Sequence, residues 1–409
     1  MGNTLIRNAT AAAVALLVSQ AAPALEIKPY IRALAGVNSE DGDAACFKLA
    51  GAAAKFRLGN ECEVYGELYM SHDFTKFEDG SSLSANVMLS WFQPMSDNKM
   101  LTNRRSNDGL PQAYIAANNL SALNGGRVWL GRRYYKREDI HITDFFYWNP
   151  QGLGGGIEDV GVGPLKLSYA MMREDNEDQQ HYATRHDFQV RGIAVNTDGE
   201  LEFGLSLIPK SGHADGGDGG WSLTAQHRQS KILGDGWNKF AIQYGAGPGT
   251  GLGGTGALTN TSDVKRLRLV EGIYAQLTPN LGGMLTAVYQ RDRSDEGHQT
   301  WTSIGGRVTY GITDLIKLQA EIGHDRVKPS GDDTRHLTKI TIAPTLAAGR
   351  GFWTRPELRL FYTYARWNDA ARRAAEGSTD SAVASIASTG VFGGKNHGST
   401  IGVQFEGWW

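Results

Sequence analysis

The strongest constraint on the fold of this chain is the alternation of residue types near both of its ends. In Leu25–Ala33 (LEIKPYIRA), Leu25, Ile27, Pro29, Ile31 and Ala33 share one face, and Glu26, Lys28, Tyr30 and Arg32 share the other. In Thr400–Trp409, Ile401, Val403, Phe405, Gly407 and Trp409 lie opposite Thr400, Gly402, Gln404, Glu406 and Trp408. A period of two is that of a β-strand. Two alternating ends suggest that the first strand pairs with the last, which leaves no open sheet edge. After Cys62 the pattern recurs, with Val64, Gly66, Leu68 and Met70 opposite Glu63, Tyr65, Glu67 and Tyr69. A dry interior holding two carboxylates and two phenols would be costly. A face that borders a water-filled channel would not be.

Further candidate strands recur along the whole chain: Arg127–Arg133, Leu165–Met172, Leu201–Ile208, Trp221–Gln229, Lys239–Gly245, Arg266–Leu277, Gly282–Arg291, Thr300–Ile312, Lys317–Gly323, Thr338–Leu346 and Glu357–Trp367. Thr313–Ile316 and Ala348–Thr354 read as short turns, and Arg173–His186, Gly245–Asp263 and Asn368–Gly398 as long loops. Short turns at one end and long loops at the other point to an all-β transmembrane antiparallel barrel, with Trp409 in an aromatic girdle. A soluble β-sandwich or propeller explains the alternation but not the polar faces.

Residues 1–24 read as an export signal. Arg7 is the basic start, Ala11–Val18 the apolar stretch, and Ala22-Pro23-Ala24 the cleavage pattern. Residues 25–409 then form one barrel domain. The apolar stretch is too short to span a bilayer as a helix. A net charge of −2 gives no basic footprint for nucleic acid. Mean hydropathy is −0.35, which alternating lipid-facing and lumen-facing strands permit. Cys46 and Cys62 lie in the exported part, where a disulfide is favoured over two free thiols. The loop it would close contributes about 3 kcal/mol.

Gly131–Trp148 (GRRYYKREDIHITDFFYW) crowds charges against aromatic rings. Such a surface suits a polyhydroxylated ligand, whose hydroxyls meet charges and whose C–H faces meet rings. Other motifs carry less. The glycine-rich Gly245–Gly256 has no helix after it, so it reads as a mobile external loop and not as a dinucleotide site. There is no HExxH and no GxSxG, and His141 has no partner at metal spacing. No catalytic residue, metal or cofactor is expected.

Several blocks resemble the maltoporins, sugar-specific porins of the bacterial outer membrane. They are Cys46–Leu68 (CFKLAGAAAKFRLGNECEVYGEL), Gly131–Trp148, Asn238–Tyr244 (NKFAIQY), Trp353–Trp367 (WTRPELRLFYTYARW) and Glu406–Trp409. The resemblance implies about eighteen strands, a homotrimer in outer-membrane lipid, and a third loop, within Gly131–Trp148, folded inward as a constriction. Transport would be passive diffusion of maltose, maltodextrins or related oligosaccharides.

By the same resemblance an aromatic slide maps onto Tyr30, Tyr65, Trp237, Trp353 and Trp408. A polar track maps onto Arg32, Arg57, Glu67, Arg137, Asp139 and Asp144. Trp91 and Phe92 are candidates for a slide ring lent by the second loop of a neighbouring subunit. Phe146 stands where the family usually carries a constriction tyrosine, which points also to sucrose, another oligosaccharide or a less selective pore. A second track arginine has no match at Pro111, and Arg104 and Arg105 lie nearby. Each charge has a competing reading as a wall residue paired across the lumen, and each ring as a packing or girdle residue.

Overall fold

The computed structural model describes residues 25–95, 109–175, 182–210 and 217–409. The expected export signal and Arg104 and Arg105 lie outside the described residues. The strands in chain order are β1 (Glu26–Asn38), β2 (Glu63–Lys76), β3 (Ser82–Pro94), β4 (Gly109–Leu120) and β5 (Gly126–Arg133). Two short strands follow, β6 (Glu138–Ile140) and β7 (Phe145–Trp148). Then come β8 (Gly152–Val162), β9 (Leu165–Asp175), β10 (Tyr182–Asn196), β11 (Gly199–Ile208), β12 (Gly220–Ile232) and β13 (Gly236–Ala246). The last seven are β14 (Lys265–Gln276), β15 (Leu281–Ser294), β16 (Gly297–Gly311), β17 (Ile316–Pro329), β18 (Arg335–Ala347), β19 (Glu357–Trp367) and β20 (His397–Trp408).

Among the described residues, all but β6 and β7 form one eighteen-stranded antiparallel sheet. The sheet closes where β1 pairs with both β2 and β20. Tyr30 stands opposite Glu67 on one side and Trp408 on the other. The alternation at the two ends therefore encodes the seam of the barrel.

The two faces invert the usual soluble pattern. Leu285, Ile304, Ile322, Ile342 and Leu360 point outward and are exposed, while Arg307, Lys317, Glu321, Lys339, Glu357 and Arg359 point inward and are buried. A continuous apolar belt of this kind requires lipid around it. Turns such as 163–164, 197–198 and 312–315 join strands at one end, and 348–356 lies there too. Segments 39–62, 134–151, 247–264 and 368–396 join them at the other.

Two expectations need correction. Arg173–His186 is strand wherever it is described, because β9 runs to Asp175 and β10 starts at Tyr182, both beyond the apolar belt. Gly245–Gly256 does not stand clear of the barrel. Gly247–Gly251 forms a 3-10 turn with Pro248, Gly249 and Thr250 buried against the wall.

Besides its polar faces, the interior contains an apolar core of its own. Phe47, Leu49 and Phe56 of the first loop, Ile140, Ile142, Phe145 and Trp148 of the third, and Ile386 and Phe392 of the last pack on the wall residues Val270, Trp301, Val327 and Trp367. Inward loops bring apolar faces that must be covered, and each large side chain so buried contributes about 1.5–3 kcal/mol. Glycines make the seats. A Cβ at Gly323 would lie 1.9 Å from the Phe56 ring, and one at Gly204 would lie 2.4 Å from the Trp148 ring.

Candidate functional site

One side of the lumen carries a connected row of rings, half-buried except for the buried Tyr274. Tyr65 and Tyr30 have centroids 6.1 Å apart. Tyr30 stacks on Trp408 at 6.2 Å and 19°. The His141 ring bridges Trp408 at 5.9 Å and Trp353 at 4.8 Å. Trp353 then meets Tyr274 at 5.4 Å, and Tyr274 meets Trp237 at 6.1 Å. Five wall strands, the 348–356 turn and, for His141, the third loop supply these rings. Strand parity aims Tyr30, Tyr65, Trp237, Tyr274 and Trp408 inward, and the 348–356 turn folds Trp353 up among them.

Charged groups lie beside the row. Arg32 pairs with Asp144 at 2.9 Å, Glu63 at 2.8 Å and Glu61 at 3.1 Å, and its guanidinium lies 4.8 Å from the Tyr65 centroid. Arg57 pairs with Glu61 at 2.8 Å and Glu406 at 2.9 Å, and donates to the Tyr30 hydroxyl at 2.7 Å. Tyr65 donates to Glu67 at 2.5 Å. Glu406 also pairs with Arg355 at 2.9 Å and Arg359 at 2.5 Å. Arg355 lies 4.4 Å from the Trp408 centroid, so the charge network also backs the rings.

The third loop reaches this row through the β6–β7 hairpin. Its anchor is Glu138, buried against Lys239 at 2.6 Å, Arg191 at 3.1 Å and Arg228 at 3.2 Å on three wall strands. Tyr147 donates to Gln226 at 2.5 Å, and Arg268 donates to the Tyr147 carbonyl at 3.0 Å. The first loop joins it where the Arg57 amide donates to the Ile142 carbonyl at 3.1 Å. The Cys46–Cys62 disulfide, with Cα atoms 5.8 Å apart, closes that first loop.

Within the hairpin, a 3-10 turn over His141–Thr143 ends at Asp144 with φ 50°. That left-handed position, which Asp tolerates better than most residues, accompanies the Asp144–Arg32 pair. Arg137 lies between two rings, 3.5 Å from the Tyr134 centroid and 4.3 Å from Phe146. Phe146 thus holds Arg137 by cation–π attraction. Among the described residues, the Asp139 carboxylate has no hydrogen bond or ion pair, although it remains partly exposed.

The loop carboxylates respond differently to their surroundings. Burial pushes the Asp139 carboxyl above its usual range, against the partial opposition of Lys239. Burial acts the same way on Asp144, but the Arg57 and Arg32 guanidiniums outweigh it and hold that carboxyl low. Burial drives His141 well below the ordinary imidazole value, and Arg57 and Arg355 add to this against Glu406. His141 therefore acts as a neutral ring within the aromatic row.

The rings expected to form a slide, Tyr30, Tyr65, Trp237, Trp353 and Trp408, are brought together, and the charges expected to form a track, Arg32, Arg57, Glu67, Arg137, Asp139 and Asp144, lie around the hairpin. Arg32 and Arg57 are paired with carboxylates of the wall and loops, as the competing wall reading expects. Trp91 and Phe92 lie in β3, before the second loop. Trp91 packs over Gly66 on the outer face, and Phe92 stands opposite Tyr65 on the inner one. Pro111 is in β4. Sequence reasoning missed Tyr274, Glu61, Glu63, Arg355 and the role of Glu138. Parity with Arg266 and Arg268 could have placed Tyr274 inward. Nothing local marks the partners of Glu138.

Comparison with known proteins decides the class. Residues 25–409 match the LamB porin family. The chain belongs to that family. It is an outer-membrane channel and not an enzyme. Solved structures of similar fold include OccAB1 of Acinetobacter baumannii, at 9% identity and TM-score 0.52, covering 94% of the porin and 96% of that chain. OpdK of Pseudomonas aeruginosa matches at 10% identity and TM-score 0.52, covering 94% and 99%. OpdQ of the same organism matches at 9% identity and TM-score 0.50, covering 94% and 98%. At such identities the likeness concerns the barrel alone.

Proposed function

We propose that this porin conducts oligosaccharides passively, with maltose and maltodextrins as substrates. The observation that carries the reading is the connected row from Tyr65 to Trp237 with Arg32, Arg57 and Asp144 alongside. Ring faces take the apolar faces of successive sugar units. Charged groups exchange hydrogen bonds with their hydroxyls, and such bonds are roughly twice as strong as neutral ones. Many modest contacts in series let a sugar bind and still leave. Asp139 offers an acceptor and Arg137 a donor at the neck.

The porin acts as a homotrimer in outer-membrane lipid, after export directed by residues 1–24, and of Trp91 and Phe92 only Trp91, on the outer face, is placed to be lent to a neighbour. A second reading, sucrose or another compact oligosaccharide, is favoured by Phe146, which lacks the hydroxyl a tyrosine would present at the neck.

The test is ion-current block in planar bilayers, titrated with maltose, linear maltodextrins and sucrose. Maltodextrin block that tightens with chain length supports the first reading, and tighter block by sucrose supports the second. Current unaffected by every sugar would remove both and leave an unselective pore.

A further inference from the structure

The outward face of β15 to β19 changes character at one level. Along β17 the outward residues Ile316, Leu318 and Ile322 give way to His324, Arg326 and Lys328 toward the loop end. The neighbours change at the same height: Ile304 to Thr302 and Thr300 on β16, Ile340 to Thr338 and His336 on β18, and Tyr364 to Arg366 on β19. Arg291 and Lys328 both flank Thr300 in one ladder row, and Arg326 stands directly opposite His336. With strands about 5 Å apart, these groups form one patch along the upper edge of the apolar belt.

Three facts separate this patch from an ordinary solvated rim. None of Arg291, Arg326, Lys328 and Arg366 has a hydrogen bond or ion pair with another described residue. No carboxylate shares the outward face of β15–β19. Glu321, Asp325 and Glu357 all point inward and are buried, and Asp332 and Asp333 at the loop tip pair with Arg335 and Arg373. The outward cations are also unevenly spread round the rim: Arg132 on β5 and Arg173 on β9 flank Leu153. At the loop end of β11–β13 the outward residues are Leu207, Trp221 and Tyr244, apolar or aromatic to the rim. Like charges packed on one face repel unless an anion sits among them.

We propose that this patch binds the phosphate groups of an anionic glycolipid in the outer leaflet. The argument takes the long-loop end as the external one, as in outer-membrane barrels. The apolar belt beneath fixes the depth, so the cations meet the phosphorylated headgroup and the belt meets its acyl chains. Cations at such a surface each strengthen attraction to anionic lipid.

The test uses native mass spectrometry of the full-length porin in detergent, offered diphosphorylated lipid A, dephosphorylated lipid A or inorganic phosphate. The porin is expected to retain the diphosphorylated form about tenfold better than the dephosphorylated one, and inorganic phosphate is expected not to displace it. The triple variant Arg326→Gln, Lys328→Gln, Arg366→Gln is expected to lose that preference while its conductance and oligomeric state stay unchanged. Equal retention of the two lipids would overturn the proposal. So would displacement by inorganic phosphate, or a triple variant that binds like the unaltered porin. A triple variant that dissociates would also overturn it, by assigning the patch to contact between copies.

Discussion

Replacing Glu138 by Gln should loosen the constriction without opening the pore. Glu138 is buried and meets Lys239, Arg191 and Arg228 at 2.6, 3.1 and 3.2 Å. Removing one partner of a buried charge cluster costs about 3–5 kcal/mol. The amide oxygen still accepts one hydrogen bond, so the lower figure applies. Against it stand Ile140, Ile142, Phe145 and Trp148 in the lumenal core, each contributing about 1.5–3 kcal/mol. Their sum exceeds the loss, so the loop stays docked. The effect falls on the neighbours in sequence, Arg137 and Asp139, which lose their fixed positions at the neck. One charge-assisted hydrogen bond to the sugar is worth about 1.5–3 kcal/mol, and weakening it by half gives about three- to tenfold weaker block. The three freed cations also make the lumen more positive, so the reversal potential in a salt gradient should shift toward anion selectivity. Sugar titration of single-channel current, with the reversal potential from the same bilayers, measures both. Block within twofold of the unaltered porin, with unchanged ion selectivity, would refute the anchoring role of Glu138.

Sugar block should weaken on mild acidification, because burial raises Asp139 and the carboxylate acceptor is lost as pH falls through that raised value. The sign for stability is opposite: the folded state binds this proton more readily, so protonating Asp139 removes a cost of folding. Asp139→Asn should remove this pH dependence of block, whereas Asp144, held low by Arg57 and Arg32, should contribute none near neutrality. Tyr274→Ala should break the link between Trp353 and Trp237, whose neighbouring rings lie 5.4 and 6.1 Å away. Aromatic pairs of this kind are worth about 0.5–1.5 kcal/mol, so block should weaken several-fold while open conductance holds or rises. Cys46→Ser should release the first loop at a cost of about 3 kcal/mol. Arg57 would move with it, and noisier current with earlier proteolysis of the 39–62 segment should report the change.

Strand parity was legible in the sequence because it is local. Tyr30, Arg32, Tyr65, Glu67 and Trp408 could each be assigned a face from neighbours one residue away, and the structure places all five inward. The same rule would have reached Tyr274 and was not applied there. Resemblance, and not strand parity, marked Arg57 and Trp353, which lie on no alternating wall strand, while the crowding of charges and rings in Gly131–Trp148 marked the hairpin segment and resemblance its individual residues. Arg173–His186 was misread because strands that rise beyond the belt turn polar on both faces and look like loop.

The sequence by itself therefore determined the barrel, its seam and which side chains of the wall strands look inward, because each follows from a period of two. Only the tertiary structure decided how the lumen is filled. The partners of Glu138 lie 53, 90 and 101 residues away. The seat for Phe56 is made by Gly305 and Gly323, far along the chain. Loop docking depends on such distant surfaces meeting, and no local pattern of charge or hydrophobicity records where an inward loop comes to rest.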